Sequence, residues 1–143
     1  MRSFEAGAVI NADADEVWRV LVDGDRYPAW DSGVERVDGT IAADATISVY
    51  SEASPGRAFP VRVTEFAPGR RMRWTGGMPL GLFRGERTFT LTPRDDGTTR
   101  FTMREEFTGP LLPLVWWSMP DLGPSFRKFA AGLKQQAEGD TTT

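Results

Sequence analysis

The chain predicts an α+β domain in which one long C-terminal helix packs against an antiparallel sheet. Three observations predict it. Phe126, Phe129, Ala130, Leu133 and Ala137 recur at helical spacing and make one apolar stripe. From Val34 to Thr108 the apolar residues instead alternate with polar ones, as strands do. A single helix following a run of strands must then pack on the sheet they form, because neither buries its apolar face alone.

Taken in order, residues 3–11 read as a first strand with imperfect alternation. Asp13 is a plausible helix N-cap with Glu16 three residues on as its capping-box partner, and Val17, Trp18, Val20, Leu21 and Val22 follow as a short apolar stripe. Asp25-Arg26-Tyr27-Pro28-Ala29-Trp30 reads as a second short helix or turn closed by Gly33. Strands are expected over Val34–Thr40, Thr46–Ser51, Pro60–Phe66, Arg70–Gly76, Leu82–Thr92 and Thr98–Thr108. The last two pair through Asp95-Asp96-Gly97, a strong hairpin signal. Gly76 to Gly81 reads as a flexible loop. The C-terminal region divides at Pro120 and Pro124 into an apolar shoulder, Leu111 to Met119, and a helix from Pro124 to Glu138. No change of composition marks a second domain, so residues 1–138 read as one unit and 139–143 as a disordered tail.

The totals exclude more than they specify. A chain of 143 residues with 40% hydrophobic and 26% charged residues has the composition of a globular domain with a real core. A net charge of −3 argues against a nucleic-acid partner. With no cysteine and no histidine, disulfides, thiolate nucleophiles, histidine bases and most zinc sites drop out, and no calcium-type loop spacing is present. Neither a metal nor a cofactor is expected. No apolar run approaches the ~20 residues of a membrane span, so stable membrane insertion is not expected and the cytoplasm is the expected location.

Several stretches carry a family resemblance: Ala12-Asp13-Ala14-Asp15-Glu16-Val17-Trp18 after the first strand, Asp25-Arg26-Tyr27-Pro28-Ala29-Trp30-Asp31, Gly97-Thr98-Thr99-Arg100-Phe101-Thr102, and Leu133-Lys134. With the order of elements, they make the chain similar to the SRPBCC (START-like) superfamily, in its polyketide cyclase/dehydrase-like branch. That resemblance implies the helix-grip fold: an antiparallel sheet of seven strands or so curved around the C-terminal helix. It also implies a cavity between sheet and helix that holds apolar or amphipathic small molecules.

Strand parity gives the sharpest local expectation. Phe83, Gly85, Arg87, Phe89 and Leu91 share one face of their strand, and Phe101, Met103, Glu105 and Phe107 share one face of the next. Since the apolar faces point to the helix, Arg87 and Glu105 come together inside, where a charge is costly unless paired. The functional reading is an ion pair that orients a ligand carbonyl, hydroxyl or carboxylate, with either member a weak candidate for catalysis; the bland one is a wet sheet end or a bulge. The expected ligand-binding set adds Val61, Val63, Met72, Trp74, Phe83, Phe89, Phe101, Met103, Phe126, Phe129 and Leu133, which as plain core would be equally ordinary. Trp117 joins that set: of the adjacent pair Trp116–Trp117 only one faces inward easily, and the other is exposed or covers the Gly76–Gly81 loop as a lid, with homodimer contact, pocket gate and lipid contact all open readings.

Three functions compete. Binding or carriage of a hydrophobic small molecule such as a lipid, polyketide or aromatic metabolite ranks first. A polyketide cyclase, aromatase or dehydratase ranks second, drawing acid–base help from Arg87, Glu105, Tyr27 or Tyr50; the missing histidine lowers this reading. A chaperone-activator-like interaction module, with Trp116 and Trp117 as its contact, ranks third.

Overall fold

The computed structural model describes residues 2–52, 55–118 and 122–140, with backbone alone for 116–118 and 140. Strands β1 (Arg2–Ile10), β2 (Val34–Asp38), β3 (Thr46–Ser51), β4 (Ala58–Ala67), β5 (Arg71–Gly77), β6 (Arg84–Pro93) and β7 (Thr99–Thr108) form one curled antiparallel sheet in the order β1-β7-β6-β5-β4-β3-β2. Helix α1 (Ala14–Leu21) and a 3₁₀ helix (Gly24–Ala29) lie between β1 and β2, and α2 (Leu112–Ser118) leads into α3 (Gly123–Asp140). This is the helix-grip fold: the concave face of the sheet closes on α3.

Local chemistry explains the elements. The Asp13 carboxylate accepts from Glu16 N–H at 2.8 Å, the expected cap. The reciprocal half of the capping box is replaced by an ion pair, as the Glu16 carboxylate turns to Arg19 at 3.5 Å. Alternation holds along β5, where Met72 and Trp74 are buried while Arg71 and Arg73 on the other face pair with Glu65. Glu65 itself has φ 46° and sits in a bulge where β4 slips against β5.

Several strand ends shift from expectation by one or two residues, and the expected loop and tail each lose residues to a neighbouring element. Gly76 ends the expected strand and also opens the expected loop; Gly77, read as loop alone, belongs to β5 as well and pairs with Arg84. Glycine is required at Gly77, since a Cβ there would lie 2.2 Å from the Phe83 carbonyl oxygen. Lacking side chains, these residues show no alternation to read. In addition, α3 continues through Gly139 and Asp140, two residues into the stretch read as a tail.

The core is aromatic and lies between α3 and the sheet. Phe129 is edge-on or tilted to Tyr27, Trp30, Phe89 and Phe101, with ring centroids between 5.3 and 6.2 Å. The C-terminal half of α3 is also tied by polar bonds, Lys134 Nζ donating to Val9 O at 2.8 Å and Asn11 N–H to the Glu138 carboxylate at 2.9 Å.

Candidate functional site

The β6–β7 hairpin turns on Asp95-Asp96-Gly97, which places Arg87 directly opposite Glu105. Both side chains are on the concave face, and Arg87 Nε donates to Glu105 Oε1 at 2.7 Å, with Nη2 at the same distance. The pair is not sealed: 23% of the Arg87 side chain and 14% of that of Glu105 remain accessible. The Arg87 guanidinium also lies 4.7 Å from the centre of the Phe126 ring, so α3 supplies an aromatic face to the cation. Gly85 leaves room for the carboxylate, since a Cβ there would approach Glu105 Oε2 to 3.0 Å and Phe107 to 3.2 Å. On the other side, Trp74 stands opposite Arg87 in register, and its buried indole N–H has no acceptor among the described residues. A bidentate-capable cation and a carboxylate thus meet on an otherwise apolar wall.

The expected binding residues separate into two groups. Val63, Met72, Phe89, Phe101 and Leu133 have no accessible surface, and Trp74, Met103, Phe126 and Phe129 have at most 3%. A side chain with no surface open to a water-sized sphere borders no open space, so the first five are packed core, with Phe89 edge-on to Trp74 at 4.8 Å between ring centroids. Val61 and Phe83 stay half-buried on the same face as Arg87 and Glu105, and Phe83 stacks on Phe107 at 5.7 Å. Openness is therefore concentrated at the end of the sheet where β4 begins and β5 turns into β6. Trp116 and Trp117 lie outside the residues whose side chains are described.

The two tyrosines fall out of the acid–base set. Tyr27 is fully buried and its hydroxyl donates to Leu21 O. Burial pushes its phenol pKa far upward, with the Arg87 charge opposing and Asp23 adding to the rise. Tyr50 lies on the opposite face of β3 from buried Ile47 and Val49, with the Arg36 guanidinium 4.2 Å over its ring. Sequence reasoning missed the Phe126 ring beneath Arg87 as a cation partner; only the crossing of α3 over β6 brings them together. A cleft of about 190 Å³ lined by Arg19, Val20, Asp23, Arg26, Trp30 and Gln136 shares no residue with this site. Among the described residues no group of carboxylates is arranged to hold a metal ion, and no helix is long and apolar enough to cross a membrane.

Comparison with known proteins now bears on this geometry. The family model described as polyketide cyclase / dehydrase and lipid transport matches residues 1–138. The chain belongs to that family. Among solved structures, this family member resembles the Zhui aromatase/cyclase from Streptomyces sp. R1128 at 15% identity and TM-score 0.73, over 98% of this chain and 95% of that one. It resembles the di-domain ARO/CYC BexL from the BE-7585A biosynthetic pathway at 20% identity and TM-score 0.72, over 100% of this chain and 48% of that one. The Aha1 dimer from Colwellia psychrerythraea matches at 16% identity and TM-score 0.72, over 96% and 97% of the two chains. At such identities the likeness is one of fold. Comparison with curated proteins gave no match.

Proposed function

We propose that this member of the family binds or carries a hydrophobic or amphipathic small molecule, a lipid, polyketide or aromatic metabolite, between the sheet and the N-terminal half of α3. The observation that carries the reading is the part-accessible Arg87–Glu105 pair on an apolar concave wall. Such a pair is costly as structure alone, because desolvation offsets much of its attraction, whereas a ligand oxygen lying on Arg87 would use the guanidinium donors that Glu105 leaves over. Val61, Phe83 and Phe126 would flank the apolar body of the ligand, over a floor of packed core side chains.

Native mass spectrometry of freshly purified protein is the test. An apolar molecule should co-purify, and Arg87→Met should lose it. Protein that emerges empty, and that fails to enhance the fluorescence of a polyaromatic fatty-acid probe, would overturn the reading.

A second reading, a cyclase, aromatase or dehydratase acting in the same space, is favoured by the Glu105 carboxylate, a base held in place by Arg87 beside accessible space. Glu105→Gln discriminates the two. A carrier retains its ligand with altered affinity, whereas an enzyme keeps binding its substrate and loses turnover by at least about a hundredfold.

A further inference from the structure

The five large apolar side chains that stand exposed among the described residues, Phe59, Met78, Leu80, Leu82 and Leu114, all lie at one end of the molecule. Phe59 opens β4, and the neighbouring Pro60 carbonyl oxygen would lie 2.8 Å from a Cβ on Gly76, so this strand borders the β5–β6 tip. Met78, Leu80 and Leu82 are that tip, which is closed by Met78 N–H to Phe83 O at 2.8 Å and Leu82 N–H to Pro79 O at 3.3 Å. Leu114 belongs to α2, whose lead-in is bonded to the same tip through Leu111 N–H to Leu82 O at 2.9 Å. Three elements, held together by backbone bonds, thus present one apolar surface at the end where the concave face is also open.

Leu80 is the extreme case. It is 95% exposed at φ 62°, a conformation that favours glycine or asparagine, yet the tip carries a leucine. The charge pattern indicates what covers it. In a chain of net charge −3, residues 53–64, 66–85 and 107–120 contain no Asp or Glu. Arg57 is exposed beside Phe59, its guanidinium 5.7 Å from the ring centre, and Arg84 at the base of the tip is half accessible while paired with Glu86. Glu52, at the far side of the same end, is held by Lys128 at 2.8 Å.

We infer that this end docks on the surface of an anionic lipid bilayer, Leu80, Leu82 and Leu114 entering the headgroup region while Arg57 and Arg84 meet the phosphates. Exposed apolar side chains beside Arg57 and Arg84, on segments that carry no Asp or Glu, are what such a surface selects, because buried apolar area and attraction to anionic headgroups add. The inference goes beyond carriage of a ligand and does not require it: the surface lies outside the Arg87–Glu105 pair.

Sedimentation with vesicles tests it. The protein should pellet with vesicles of phosphatidylserine and phosphatidylcholine in equal parts, far less with phosphatidylcholine alone, and less at high salt. Leu80→Glu and Leu114→Glu should each weaken partition by about tenfold or more, and Arg57→Ala by about fivefold. Arg87→Met, which should lose the ligand, should pellet like the parent protein, so loss of ligand binding and loss of docking read out separately. Absence of binding to anionic vesicles would overturn the inference, as would Leu80→Glu binding like the parent. A parent protein that is dimeric in solution and becomes monomeric with Leu80→Glu would overturn it in favour of a second copy covering this face.

Discussion

The two halves of α3 meet different surroundings. From Phe129 onward the helix is closed: Phe129 is ringed by four aromatic neighbours, Leu133 and Ala137 are fully buried, and Lys134 and Glu138 are bonded to β1 and the residue after it. Toward its N-terminus, Phe126 is the buried residue of the stretch 123–128, and it faces the Arg87 guanidinium and the Phe4 ring. One end of the gripped helix is closed by packing; the other borders a charged pair and accessible space. On the proposed reading, the difference separates stability from binding along one element. A region that must admit a ligand cannot also carry the densest packing.

Five stability measurements would break or sharpen this contrast. Phe129→Ala, at the closed end, should lose about 3–5 kcal/mol by urea unfolding, because four ring contacts and their buried area go together. A loss below 1 kcal/mol or so would mean that this end is not closed. Arg87→Met leaves Glu105 unpaired in partly accessible surroundings and should cost about 2–3 kcal/mol, less than a fully buried charge would. Arg87→Met with Glu105→Leu should recover most of that loss, since removing both charges removes the desolvation penalty as well.

Gly132→Ala should cost about 1–3 kcal/mol in the same assay, although alanine is the better helix former. A Cβ at Gly132 would sit 2.3 Å from Asp31 O and 2.8 Å from its carbonyl carbon, so α3 would have to move off the 30–31 segment.

The smallest effect depends on pH. The Asn11 backbone N–H, and then the Lys134 ammonium, hold the Glu138 carboxyl pKa below its ordinary value of 4.5. Since the folded value is the lower one, this stabilisation is present above pH 4.5 and is lost as pH falls through the folded value. Glu138→Gln should therefore be less stable than the parent near neutrality, by about 1 kcal/mol or less, and the gap should shrink in acid. A gap that widened below pH 4.5 would refute the assigned bonds.

Much of the site was legible because strand parity and hairpin chemistry are local. Alternation placed Arg87 and Glu105 inward, and a turn at Asp95-Asp96-Gly97 pairs them whatever the rest of the chain does. The same parity could not tell cavity from core. Phe89, Met103 and Leu133 face inward either way, and only the closeness of α3 to the sheet decides whether space remains beside them. Tyr27 and Tyr50 illustrate a further limit. A tyrosine reads as an acid–base candidate in sequence, but one is locked on Leu21 O and the other faces away.

By itself, the sequence determined the order of elements, the inward faces of the long strands, the cap at Asp13 and the ion pair opposite the hairpin turn. Each of these follows from spacing within a few residues or from one turn. Tertiary structure alone decided which end of the concave face stays open, why glycine is needed at Gly77 and Gly132, and that Phe59, Leu80 and Leu114 share one surface. These depend on the approach of segments distant in sequence, and side-chain volume acts there through contacts that no local pattern records.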